Sequence, residues 1–143
     1  MRRLVKSLLL LVAASLIISA QAQDARQPNF IVIMADDLGY GDLGVYGSQL
    51  IKTPNLDRMA LEGARLDSFY STANVCTAGR GGLLTGRYPI RLDLVSDVAR
   101  PTNDVHLASE EISLAEALKP LGYQTALFGK WHLGSRMEWS PLT

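Results

Sequence analysis

The strongest constraint on this chain is the segment Phe30-Ile31-Val32-Ile33-Met34-Ala35, an unbroken apolar run that stops at Asp36-Asp37. A half-buried strand alternates apolar and polar residues, so an unbroken run predicts a strand covered on both faces. Strands of that kind belong to parallel sheets, whose crossover helices cover the two faces. Glycines at positions 39, 41, 44 and 47 then predict a long loop whose backbone turns tightly or approaches something closely.

The remainder of the chain supplies helices at suitable intervals. Thr53-Pro54 predicts a helix start, with a hydroxyl N-cap and proline at the first position, running from Pro54 to Glu62 with Gly63 as its C-cap. Arg65 to Tyr70 reads as a short strand. A second helix begins near Cys76, carries Leu83 and Leu84, and stops at Gly86 and Pro89. Ile90 to Glu111 reads as an irregular connection. Ser113-Leu114-Ala115-Glu116 is a capping box opening a third helix, whose stripe of Leu114, Ala117, Leu118 and Leu121 ends at Pro120 and Gly122. Gln124 to Phe128 reads as another buried strand. Strands alternating with helices predict an α/β layer with a mostly parallel sheet.

Composition narrows the class of partner. A length of 143 residues gives one modest domain as the first expectation. The 14 Lys and Arg balance 14 Asp and Glu, which excludes a basic nucleic-acid surface as the default. With 48% hydrophobic and 20% charged residues the chain can fill a core, which argues against disorder. No internal repeat or low-complexity tract occurs. The zero net charge averages two unlike parts. Arg2, Arg3 and Lys6 precede an apolar run from Leu8 to Ile18, and Ser19-Ala20-Gln21-Ala22 then matches a signal-peptidase site. A buried core helix is the alternative, and it ranks lower because those cations sit at the extreme N-terminus with no acid beside them.

Residues 1–22 are therefore expected to be a signal peptide, leaving a mildly acidic exported chain over 23–143. Arg2-Arg3 also resembles a twin-arginine signal, so general and twin-arginine export both stay open. The apolar run is shorter than the ~20 residues a membrane span needs, so no stable membrane anchor is expected. Cys76, the single cysteine, cannot form an intramolecular disulfide, so packing or metal must hold the exported chain.

Three clusters could carry chemistry. Asp36-Asp37 could ligate a hard cation such as calcium at the C-terminal edge of the sheet, although a solvated turn is the commoner fate of such a pair. Cys76-Thr77-Ala78-Gly79-Arg80 places Cys76 and Arg80 one helical turn apart, at a helix end that attracts anions. Such a site would lower a thiol pKa and hold a sulfate or phosphate ester against it. A buried structural cysteine is the alternative, against which Gly79, Gly81 and Gly82 weigh, since helical glycines need a reason such as close approach to a ligand. Lys130 and His132 share a face if the backbone is extended, and together could clamp an ester oxygen and exchange protons. Taken singly, they read as an exposed lysine and an ordinary histidine. His106 has no partner in sequence and is assigned no role.

In combination these residues resemble the sulfatases of the alkaline-phosphatase-like superfamily. The match runs nearly continuously from Pro28 to Gly134, through PNFIVIMADDLGYGDLGVYG, TPNLDRMALEGARLDSFYS, CTAGRGGLLTGRYP and SLAEALKPLGYQTALFGKWHLG. The resemblance implies an α/β/α sandwich with a mostly parallel sheet, of which only the N-terminal part is present. It implies that a separate maturation enzyme oxidises Cys76 to formylglycine, whose hydrated aldehyde is the nucleophile. Asp36 and Asp37 then look like calcium ligands, with the group at position 76 beside them at the metal. Arg80 resembles the arginine that holds the formylglycine hydrate. Lys130 resembles the lysine that contacts sulfate and nucleophile, and His132 the histidine that hydrogen-bonds the formylglycine hydroxyl.

By this analogy one hydroxyl attacks sulfur and the alcohol leaves, after which the second hydroxyl loses its proton, expelling sulfate and regenerating the aldehyde. The chain departs from the family where Ala78 and Gly79 replace the usual Pro and Ser of the maturation motif. The family's remaining calcium ligands and its leaving-group His and Lys are expected beyond Thr143, which implies half a site here. The leading expectation is an exported sulfuric ester hydrolase whose partners are the substrate, the maturation enzyme and the export machinery. A phosphonate or phosphate monoester hydrolase of the same superfamily is the second reading. An inactive truncated product, poorly soluble for its uncovered sheet, is the third.

Overall fold

The computed structural model describes residues 27–141, and the signal peptide expected over residues 1–22 lies outside them. The chain divides into two compact units, Met1–Met34 and Ala35–Thr143. In the first, the described residues 27–34 are irregular and exposed.

Among its described residues the second unit holds three α-helices, α1 (Pro54–Glu62), α2 (Cys76–Thr85) and α3 (Leu114–Leu118). Short 3-10 turns lie at Tyr40–Asp42, Gly44–Tyr46, Pro89–Arg91, Lys119–Leu121 and Met137–Trp139. All three helices form where capping and punctuation predict them. The expected strands at Phe30–Ala35, Arg65–Tyr70 and Gln124–Phe128 do not form among the described residues. A strand exists only through a hydrogen-bonded neighbour and cover on its faces. Among the described residues these segments form no ladder, and much of their apolar surface is open, Phe128 being 94% exposed.

In α1 the bounds match the expectation, but Thr53 works differently from a simple cap. Its hydroxyl donates to Asp57 Oδ1 at 2.9 Å and accepts from the Gly44 N–H at 2.8 Å. Asp57 Oδ1 also accepts from the Val45 N–H at 2.7 Å. Thr53 and Asp57 thus tie the glycine-rich loop to the helix. Gly44 is needed there, because a Cβ would sit 2.4 Å from Asp57 Oδ2.

The second helix, α2, is the buried one, with every residue from Thr77 to Gly82 inside. It ends at Gly86, whose left-handed φ of 68° suits glycine. The core it packs on consists of Ala78, Leu92, Leu94 and Leu133, flanked by Ala73, Leu84, Val105, Leu107 and Trp131. Two of these leucines come from the irregular connection after Ile90, which is pinned by the 3.1 Å bond from the Leu94 N–H to the Pro89 carbonyl. Leu107 N–H bonds the Leu133 carbonyl at 3.0 Å, bringing the segment that carries Lys130 and His132 onto the same core.

Helix α3 shows the predicted capping box. Ser113 Oγ accepts from the Glu116 N–H at 3.2 Å, and the Glu116 carboxylate accepts from the Ser113 N–H at 2.8 Å. Pro120 and Gly122 close the element through a 3-10 turn. No helix among the described residues is long and apolar enough to cross a membrane.

Candidate active site

Helix α2 begins at Cys76 and buries Arg80 one turn later, with only 9% of the arginine exposed. A buried guanidinium needs partners for its fork of donors. Nη1 donates to the Lys130 carbonyl at 2.6 Å, and Nη2 donates to Asp36 Oδ1 at 3.1 Å. The Lys130 ammonium donates to Asp36 Oδ2 at 2.7 Å. Asp36 therefore accepts one cation on each oxygen, so residues from the end of the first apolar run, from α2 and from the segment after Phe128 meet at one point.

The charges tune one another. The Lys130 hydrogen bond, then that of Arg80, holds the Asp36 carboxyl below its ordinary range. The bond to Asp36 chiefly raises Lys130, and the nearby Cys76 adds to it electrostatically. Cys76 itself is a free, half-buried thiol. It stands at the first position of α2, where the leading N–H groups have no intrahelical acceptor.

His132 lies on the same segment as Lys130 but turns elsewhere. Period-two alternation holds only for extended backbone, and here Gly129 and His132 have φ values of 101° and 58°. The His132 ring bonds the Ala99 carbonyl through Nε2 at 2.8 Å, while its Nδ1 is enclosed without a partner. Thr77, fully buried, links this region to α2, donating to the His132 carbonyl at 2.9 Å and accepting from the Ala99 N–H at 3.0 Å. Sequence reasoning passed over Thr77 and Ala99. Their connection spans 22 residues with no local pattern to mark it. Asp37 is exposed, with a φ of 59° that an aspartate tolerates. His106 stacks on Trp139 at 4.0 Å, away from these residues in partner as in sequence.

The glycines of α2 have a reason other than a ligand. A Cβ at Gly79 would lie 2.9 Å from Ser71 Oγ, one at Gly81 would lie 2.5 Å from Leu94 Cδ1, and one at Gly82 would lie 2.1 Å from Thr72 Oγ1. The chain itself, packed against the helix, occupies the space that was expected to admit a ligand.

Calcium takes six to eight oxygen ligands. Asp36 and Asp37 offer fewer, and both oxygens of Asp36 already accept from cations. Among the described residues no group of three or more His, Cys, Asp or Glu could hold a metal. The described residues therefore do not fit a complete calcium shell. The two cations, Arg80 and Lys130, converge instead on Asp36.

The sulfatase family model matches residues 28–138. Human arylsulfatase A is 47% identical over 129 residues, covering 90% of this chain and 24% of that protein. Rat steryl-sulfatase is 43% identical over 132 residues, covering 89% of this chain and 23% of that protein. The crystal structure of Ps i-CgsB is 34% identical and superposes with a TM-score of 0.76, over 82% of this chain and 26% of that one. The chain thus spans about a quarter of the length of these curated relatives. The family match and the motif order from Pro28 to Gly134 lead to one conclusion: the chain belongs to the sulfatase family.

Proposed function

We propose that this protein hydrolyses sulfate esters, with a formylglycine made from Cys76 as nucleophile. The observation that carries the reading is the convergence of Arg80 and Lys130 on Asp36 beside the start of α2, in a chain of this family. Formylglycine supplies a hydrated aldehyde, whose oxygen can attack sulfur. The chain's own residues then do the rest. Arg80, fixed by the Lys130 carbonyl and Asp36, presents a rigid cation to that oxygen. Lys130 holds charge that develops on the sulfate. His132 exchanges protons. Asp36 holds both cations in place.

Three further parts belong to the same reading. The α/β/α sandwich with a mostly parallel sheet is supported by the likeness to Ps i-CgsB and by the apolar run before Asp36. Asp36 and Asp37 would contribute part of a calcium shell, and no step above depends on it. The basic and apolar start over residues 1–22 supports export to the periplasm or beyond, with Cys76 converted by a separate maturation enzyme.

The test is co-expression of the full chain with a formylglycine-generating enzyme, followed by peptide mass analysis and turnover of a chromogenic aryl sulfate. The expected result is an aldehyde at position 76 and release of sulfate. An unmodified Cys76, or a converted protein that prefers the matching phosphate ester, would overturn it.

A further inference from the structure

We propose that Thr77 is a positioning residue: with the Ala99 peptide it holds the His132 ring in its Nε2–H tautomer and leaves Nδ1 as the bare nitrogen. Three bonds close a ring. The Thr77 hydroxyl donates to the His132 carbonyl at 2.9 Å, the Ala99 N–H donates to Thr77 Oγ1 at 3.0 Å, and the His132 ring meets the Ala99 carbonyl at 2.8 Å. A carbonyl can only accept, so Nε2 carries the hydrogen. A neutral imidazole has one N–H, which leaves Nδ1 as an acceptor. That acceptor is enclosed and has no partner.

Two features separate this arrangement from ordinary packing. A threonine near a helix start usually bonds its own helix backbone. Thr77 is fully buried and instead reaches His132, 55 residues away. His132 is also held at a φ of 58°, an unusual conformation for a residue other than glycine. The hydroxyl thus fixes the backbone of a strained histidine and, through Ala99, its ring. Thr77 directly follows Cys76, so the helix residue beside the proposed nucleophile is the one that orients the histidine. Nδ1 is then the ring nitrogen left to take a proton, and because it is closed to solvent the O–H that supplies it must belong to the chain itself. On doing so the imidazolium keeps its Nε2–H bond to Ala99. This consequence for catalysis rests on the sulfate-ester reading; the tautomer does not.

The chain has 2 histidines, which makes nitrogen-15 NMR of histidine-labelled protein a direct test. The His106 Nδ1 lies 2.6 Å from the Asp104 carbonyl, so that ring carries its hydrogen on Nδ1, opposite to His132, and serves as an internal reference. At a pH where both rings are neutral, the parent should show Nε2–H for His132 and Nδ1–H for His106. Thr77→Val should lose the fixed tautomer at His132 alone and lower kcat by roughly 10-fold or more, as loss of an orienting outer partner does elsewhere. Thr77→Ser, which keeps the hydroxyl, should restore both. Turnover is expressed per converted Cys76, because Thr77 lies within the maturation motif. An Nδ1–H signal for His132 in the parent overturns the proposal without any variant. So does a folded Thr77→Val with unchanged tautomer and kcat. If Thr77→Val does not fold, Thr77→Ser decides, and loss of the tautomer there counts against the hydroxyl. A converted parent that fails to hydrolyse sulfate esters would sink the functional reading while leaving the tautomer measurement standing.

Discussion

At the scale of single residues, Arg80 shows why charge alone does not describe the site. Its two terminal nitrogens serve a carbonyl and a carboxylate in different directions, which a lysine ammonium cannot reproduce from one point. Arg80→Lys keeps the charge and should still lower stability by about 1 kcal/mol, because one of the two part-buried hydrogen bonds of the fork is lost. Urea unfolding measures this, and an unchanged midpoint would show that the fork is dispensable. Gly82 makes a second residue-scale case. Alanine is the better helix former by ~1 kcal/mol, but its Cβ would lie 2.1 Å from Oγ1 and 3.0 Å from Cβ of the stiff, β-branched Thr72. Overpacking costs ~1–3 kcal/mol. Gly82→Ala should therefore be net destabilising by roughly 1 kcal/mol. Gly41→Ala, where nothing lies within 4 Å, should be close to neutral, and equal melting temperatures for the two variants would contradict the packing account.

At the scale of elements, the helices follow local chemistry closely. Proline at the first position of α1, the glycine after α2 and the Ser113/Glu116 box of α3 are instructions written within a few residues. Ser113→Ala should cost about 1 kcal/mol, the usual worth of an N-cap hydroxyl. The same box carries a pH dependence. The Ser113 N–H, then the Ser113 hydroxyl, holds the Glu116 carboxyl below its ordinary value. A carboxylate lowered on folding contributes stability above its unfolded pKa and loses it as pH falls through the folded one. Protection of the Ser113 and Glu116 amides, taken relative to the intrinsic exchange rate at each pH, should thus fall on acidification through and below the ordinary glutamate range. Glu116→Gln should remove most of that dependence, and a variant as acid-sensitive as the parent would refute the assignment.

At the scale of the whole molecule, the buried core is small and gathers from distant segments. Leu94 is fully buried against Ala78, Leu92 and Leu133, and its Cδ1 packs where Gly81 has no side chain. Leu94→Ala should cost ~2–5 kcal/mol, since the missing volume opens beside a helix that cannot move without displacing Arg80 and Cys76. The loss should appear in sulfate-ester turnover as well as in thermal unfolding, because α2 carries both the core contact and the site. Unfolding at the parent's temperature would contradict the idea that one core supports both. Large apolar side chains of the same unit stay open, among them Leu50 and Phe128, each 94% exposed.

The sequence by itself determined the helices, the family, and the identity of the residues gathered at Asp36, Arg80 and Lys130. These are carried by short-range chemistry or by motif order. Only the tertiary structure decided what those residues do to one another. That Asp36 bridges two cations, that the α2 glycines make room for Ser71, Leu94 and Thr72, and that Thr77 holds His132 through Ala99 are all contacts across distant segments. The irregular connection after Ile90 hid two core leucines for the same reason. The left-handed backbone at His132 overturned the shared face expected for Lys130 and His132, because side-chain alternation holds only where the chain stays extended. Strand pairing shows the other limit: a run of apolar side chains specifies what must be covered, but a ladder needs a partner backbone, which no local pattern supplies.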